Sequence, residues 1–321
     1  MVTIFLYQDG RSRPVEAIDP AWLRSDSGCV VWVDLAAGTP EELRILSDVF
    51  HFHELAVEDA QSEAQHPKVE SYDGYLYLIL HGIHFQEAKH RFATHDVDFL
   101  LGDTYLVTVH NGTSRSISAL RDLCPRNTQI LAEGPAGLLY RIVDAMVDHY
   151  RPEVDKLESK VSHVEDAVFK NPKPQLMRSI LALKRDVASL RHVTLPQRDA
   201  VGRLARREFR QINEVMAYRF RDVHDHLVRQ ADEATLFLDR ITGLLDAHLS
   251  NQSNQLGRTM RMLTVIATIF MPLTLLSGLF GMNVPLPFGL SGSAAGFWVI
   301  AAIMVGVCGV MLWIFRKQDW I

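Results

Sequence analysis

Two stretches late in the chain contain no charged residue: Met262 to Phe280 and Phe297 to Phe315. Each approaches the ~20 apolar residues needed to cross the hydrocarbon core of a bilayer. Two buried core helices are the bland alternative. Both runs come last, however, with only a short polar link between them, so little sequence is left to cover them. The pattern therefore predicts a membrane hairpin, preceded by a water-soluble part in which charges are spread from residue 1 to about 258. Arg258 and Arg261 stand before the first span and Arg316 and Lys317 after the second, while Asn283 to Gly296 carries no charge. Basic residues favour the cytoplasmic side. The N-terminus turns polar too early to read as a signal peptide. A multi-pass protein of the inner (plasma) membrane with both termini in the cytoplasm is the expectation.

Composition narrows the function. The 321 residues carry a net charge of -5, which argues against a nucleic-acid partner. The three cysteines are widely spaced and form no metal-binding or disulfide pattern. No phosphate-binding loop, nucleophile elbow or catalytic metal motif occurs, so the chain does not read as an enzyme.

The expected fold class is α+β with a membrane part. Val2 to Tyr7, Cys29 to Asp34, Tyr75 to His81, Val97 to Leu101 and Tyr105 to His110 are rich in β-branched and aromatic residues and read as strands. Thr39-Pro40-Glu41-Glu42 reads as a helix start, with Thr39 as cap and Pro40 in the first turn. Residues 136 to 168 and 173 to 193 read as helices separated by Asn171-Pro172-Lys173-Pro174. After Pro196 no proline occurs until Pro272, which predicts a helical stalk on the order of 100 Å long running into the first span. The expected segments are a cytoplasmic α/β domain (1–134), its helical part (135–195), the stalk (196–258), the first transmembrane helix (259–283), an outer loop (284–296), the second transmembrane helix (297–315) and a basic cytoplasmic tail (316–321).

The first span closes in Gly278-Leu279-Phe280-Gly281-Met282-Asn283. A Gly-Met-Asn triplet ending the first of two such spans resembles the signature of the CorA family of divalent-cation channels, which includes a zinc-handling ZntB-like branch. Thr264 to Thr274 is similar to the family's first span, and Tyr218 to His226 to its stalk. His53 to Asp59 and His66 to Glu70 resemble motifs of its cytoplasmic domain, and Arg316 to Ile321 its basic, Trp-containing tail. The resemblance implies a homopentamer that takes up Mg²⁺, with Co²⁺, Ni²⁺ or Zn²⁺ as alternative cargo. It also implies a selectivity filter at Gly281, Met282 and Asn283.

The filter assignment has independent physics. Mg²⁺ gives up its water reluctantly, and the amide oxygen of Asn283 can accept hydrogen bonds from metal-bound water without trapping the ion. Met260, Leu263, Ala267, Met271, Thr274 and Gly278 share one helix face. Spacing alone fits helix packing or lipid contact at least as well as a pore wall; the resemblance implies that Met260, Leu263, Met271 and Thr274 line the pore.

Asp225, Asp232, Asp239 and Asp246 recur every seven residues, and Asp222 lies one turn before Asp225. A solvated stripe and a metal-binding stripe are both open readings. The resemblance implies that Asp222 is a regulatory Mg²⁺ ligand; Asp225 and Glu87 are the neighbouring candidates, with Gln86 a weaker one. Two readings compete with a Mg²⁺ channel: a Zn²⁺ transporter, with or without proton coupling, and a membrane-anchored metal sensor that does not conduct. Eight of the fourteen histidines fall between His51 and His110, without metal-ligand spacing.

Overall fold

The computed structural model describes residues 1–62, 65–112, 114–170, 175–282, 294–318 and 320. The chain forms two compact units, Met1–Leu245 and Asp246–Ile321.

The first unit is built on a seven-stranded sheet in the order β2-β1-β3-β7-β6-β5-β4. Its strands are β1 (Val2–Gln8), β2 (Arg11–Val15), β3 (Val30–Ala36), β4 (Lys68–Ser71), β5 (Leu76–Gln86), β6 (Arg91–Leu101) and β7 (Tyr105–His110). β3 and β7 pair parallel at the centre, and the other neighbours pair antiparallel. The short helices α1 (Pro40–Leu43), α2 (Ile45–Asp48) and α3 (Glu54–Gln61) precede β4. After β7 come α4 (Arg115–Leu123), α5 (Gln129–Ala132), α6 (Gly134–Asp148), α7 (Arg151–Lys170), α8 (Leu176–Ala205) and α9 (Glu214–Phe280), and α10 spans Ala294–Lys317.

Alternation along the strands divides the core in two. Leu76, Leu78 and Leu80 of β5 join Trp32, Phe99, Leu138, Ile142 and Phe220 on one face of the sheet. Tyr77 and Ile79 join Val31, Val33, Leu46, Phe52 and Ala56 on the other. A sheet covered on both faces explains why its central strands read as unbroken apolar runs. The cap expected at Thr39 forms: its hydroxyl accepts from the Glu42 N–H at 3.3 Å, and the Glu42 carboxylate accepts from the Thr39 N–H at 2.9 Å.

The stalk boundary differs from the sequence expectation. Residue 196 is not the start of a helix: α8 passes through Pro196 and ends at Ala205, and the stalk begins at Glu214. Burial of Val193, Gln197, Ala200, Val201 and Leu204 offsets the ~3 kcal/mol that an interior proline costs. The break instead follows Arg207, whose φ of 58° is left-handed, and Asn213 caps α9 by accepting from the Met216 N–H at 2.9 Å.

Within the second unit, the end of α9 and α10 leave large apolar side chains uncovered. Met271 is 74% exposed, Val305 72% and Trp298 71%. Both helices are long and apolar enough to cross a membrane, with 6% and 0% of their apolar windows buried. The tail folds back on its own unit: Trp320 stacks on Phe315 at 5.7 Å, and the Arg261 guanidinium lies 6.0 Å from the Trp320 ring.

Candidate ion path and stalk carboxylates

At ~100° per residue, Met260, Leu263, Ala267, Met271, Thr274 and Gly278 form one stripe on α9, and all six are exposed. The opposite stripe, Val265, Ile269, Pro272, Leu276 and Phe280, is where exposure falls. The candidate wall therefore points away from the covered side of its helix. Exposure alone does not select it, because Ile266, Phe270 and Leu275 on the flanks are exposed as well. Hydroxyls do not select it either, because Thr264 beside the stripe is exposed and donates to the Met260 carbonyl at 2.9 Å; within the stripe the polar side chain is Thr274. The Thr274 hydroxyl donates to the Phe270 carbonyl at 2.8 Å, which leaves its oxygen lone pairs free to accept from water.

Helix α9 ends where the motif begins. The Gly281 N–H donates to the Ser277 carbonyl at 2.9 Å, and a Cβ on Gly281 would lie 2.9 Å from that same oxygen. This turn therefore excludes larger residues at 281. Met282 is exposed; Asn283 lies outside the described residues.

In the first unit, α9 buries Met216, Ala217, Phe220, Val223 and Leu227 at helical spacing. Its angular position is fixed by Arg219, which donates to Glu133 at 2.7 Å beside Arg141 at 2.8 Å. Burial works against the Glu133 charge, yet the two guanidiniums hold its carboxyl below the usual range. With that face packed inward, Asp222, Asp225, Asp232 and Asp239 are all exposed on the other.

One carboxylate that the sequence did not single out joins them. Asp144, half-buried on α6, has its pKa raised by burial first and then by repulsion from Asp148 and Asp222, with His226 opposing. The available signal was an Asp pair four residues apart, Asp144 and Asp148, on a mainly apolar helix whose one other charged residue is Arg141. Glu87 lies in a single helical turn, Glu87–Lys89, at the tip of the β5–β6 hairpin. Among the described residues, no three His, Cys, Asp or Glu side chains stand close enough to hold a metal ion.

Several of the clustered histidines have structural partners. His110 Nε2 lies 3.1 Å from the buried Asp34 carboxylate, and its Nδ1 accepts from the Gly112 N–H at 3.0 Å. His81 Nε2 lies 2.8 Å from the Gln65 carbonyl and 3.2 Å from Asp96.

Residues 27–317 match the model of a family described as CorA-like Mg²⁺ transporter protein. The chain is 28% identical over 317 residues to the cobalt/magnesium transport protein CorA of Thermotoga maritima, covering 98% of this chain and 89% of that one. It is 25% identical over 317 residues to the zinc transport protein ZntB of Cronobacter sakazakii, covering 97% and 93%. The structure superposes on that of the CorA magnesium transporter of Methanocaldococcus jannaschii with a TM-score of 0.82 at 22% identity, over 100% and 99% of the two chains.

Proposed function

The chain belongs to the CorA-like Mg²⁺ transporter protein family, and on that premise we propose that it moves divalent cations, Mg²⁺ first among them, through a pore formed by several copies. Two spans from one chain cannot enclose water, so conduction requires a ring of subunits; five is the number expected from the family resemblance. The observation that carries this reading is the open face of α9, apolar except for Thr274, which runs to Gly281 and Met282 directly before Asn283.

In this reading Met260, Leu263, Ala267, Met271, Thr274 and Gly278 line the path, and a collar of Asn283 amides selects the hydrated ion. Both termini face the cytoplasm, and entry is driven by the inside-negative potential, worth ~2.3 kcal/mol per charge at 100 mV. Asp222, with Asp225, Asp144 and a neighbouring subunit's Glu87 as further ligands, binds Mg²⁺ and holds the assembly closed. Loss of the ion leaves the carboxylates to repel one another and the ring to loosen.

Uptake by proteoliposomes tests the proposal. Asn283→Ala is expected to cut Mg²⁺ uptake by roughly tenfold or more, the cost of losing hydrogen bonds to a charged partner; undiminished uptake defeats the filter assignment. The zinc transporter among the relatives favours a second reading, Zn²⁺ transport. Competition among Mg²⁺, Co²⁺, Ni²⁺ and Zn²⁺, under a voltage and then under a pH gradient alone, separates the two. Zn²⁺ preference with uptake that follows only the pH gradient selects the second.

A further inference from the structure

A cavity of about 640 Å³ opens in the first unit between the β5–β6 hairpin, the start of α4 and the junction of α6 with α7. Its lining is rich in nitrogen donors. His84 and His95 come from the hairpin, Arg115 and Ser116 from α4, His149 from the α6–α7 junction and Lys156 from α7.

The donors are positioned by specific contacts. His95 pairs with Gly82 in the β5–β6 register, and a Cβ on Gly82 would coincide with the His95 ring. Glycine at 82 thus leaves the gap in which that imidazole lies. His84, two residues along β5, faces the same side. Across the cavity, Ser116 is 3% exposed and its Oγ lies 3.1 Å from His149 Nδ1, which orients that ring and leaves Nε2 available. Glu153, the acidic residue in the lining, is paired with Lys156 at 2.8 Å. Arg115 is exposed and makes no ion pair among the described residues.

These features choose among ligand classes. A metal cation would meet Arg115 and Lys156, and no three-ligand set is present among the described residues. A purely apolar molecule would leave the guanidinium and imidazole donors unsatisfied. An anion with several oxygens suits both the guanidinium fork and the imidazole N–H groups. The volume lies within the ~300–1,000 Å³ range of small-molecule pockets and exceeds what a single inorganic phosphate fills. We infer that this cavity binds a phosphate-bearing anion of about nucleotide size, with Arg115 as the principal anchor and His84, His95 and His149 as oriented donors. The site lies on the sheet and is separate from the stalk carboxylates.

The test uses the purified full-length chain in detergent, with chelator present so that removal of Mg²⁺ by the phosphate is not the readout. Binding of pyrophosphate and of ATP is measured by calorimetry, and binding to nanodiscs containing phosphatidic acid by a parallel titration. Arg115→Ala is expected to weaken binding by roughly tenfold or more, the effect of losing a charge-assisted pair, while Arg178→Ala on α8 leaves it unchanged. Loss in the soluble arm identifies a free phosphate anion; loss confined to the nanodisc arm identifies a lipid headgroup. Absence of saturable binding in both arms, or equal loss in Arg115→Ala and Arg178→Ala, overturns the site.

Discussion

Strand β6 carries a carboxyl and an imidazole that are both held uncharged, with opposite consequences for stability. Asp98 is pushed up to about 7, chiefly by burial, although it accepts from the Tyr77 hydroxyl at 2.6 Å. From its ordinary value of about 4 up to 7, the folded chain holds this proton more tightly than the unfolded one. Asp98 therefore costs stability progressively as pH rises through that window. His95 is pushed down to about 4, by burial and then by His84 and His110. Between pH about 6.5 and 4 the unfolded chain takes up this proton first, so stability falls as pH drops. The two slopes oppose each other between about pH 4 and 6.5. Asp98→Asn, whose amide still accepts from Tyr77, is expected to lose melting temperature on acidification more steeply than the parent. His95→Gln is expected to lose it as pH rises from about 4 to 7. Thermal unfolding across that range checks both signs, and parallel curves for all three proteins would refute the assignment. At this scale the sequence was partly legible. Thr39 and Glu42 announced their cap because both partners lie within one turn. The partners of His81 and His110 are Gln65, Asp96 and Asp34, which only the sheet brings near.

Elements were legible where pattern alone decides them. The central strands and both apolar spans stand out in the sequence; β2 and β4 do not. Each lies at an edge of the sheet, is short and largely polar, and β2 contains Pro14, features that suit edge strands and erase the usual signal. The misplaced stalk boundary has the same origin, since tertiary burial carries α8 through Pro196. Two substitutions follow from the observed arrangement. Pro196→Ala restores a backbone donor inside α8 and is expected to stabilise the full-length protein by roughly 1–3 kcal/mol. Asn213→Ala removes the cap of α9 and is expected to cost about 1 kcal/mol. Denaturant or thermal melts of the two variants should shift in opposite directions; equal shifts would place the helix break elsewhere.

For the molecule as a whole, the proposed ring of copies is where the exposed stalk aspartates matter most. A carboxylate stripe repeated around an axis carries repulsion that a divalent ion removes. Mg²⁺ should therefore protect the wild-type assembly from limited proteolysis, and chelator should abolish the protection. In Asp222→Asn with Asp225→Asn, the Mg²⁺ concentration for half-protection is expected to shift by roughly tenfold, or protection to become independent of Mg²⁺. An unchanged midpoint would remove these residues from the regulatory site. The heptad spacing made this stripe visible in the sequence. Asp144 was hidden because its approach to Asp222 depends on how α6 and α9 are turned toward each other, which no local pattern encodes.

Phe220, Val223 and Leu227 belong to the same buried cluster as Trp32 and Phe99, and this has a consequence for biosynthesis. Leu138, Ile142 and Val201 cover part of this face earlier in translation, but a ribosome delivers Phe220, Val223 and Leu227 last. The covering of that surface is complete only after residue 227 has emerged, shortly before the first greasy segment appears. The interval open to aggregation or chaperone capture thus closes just ahead of membrane insertion.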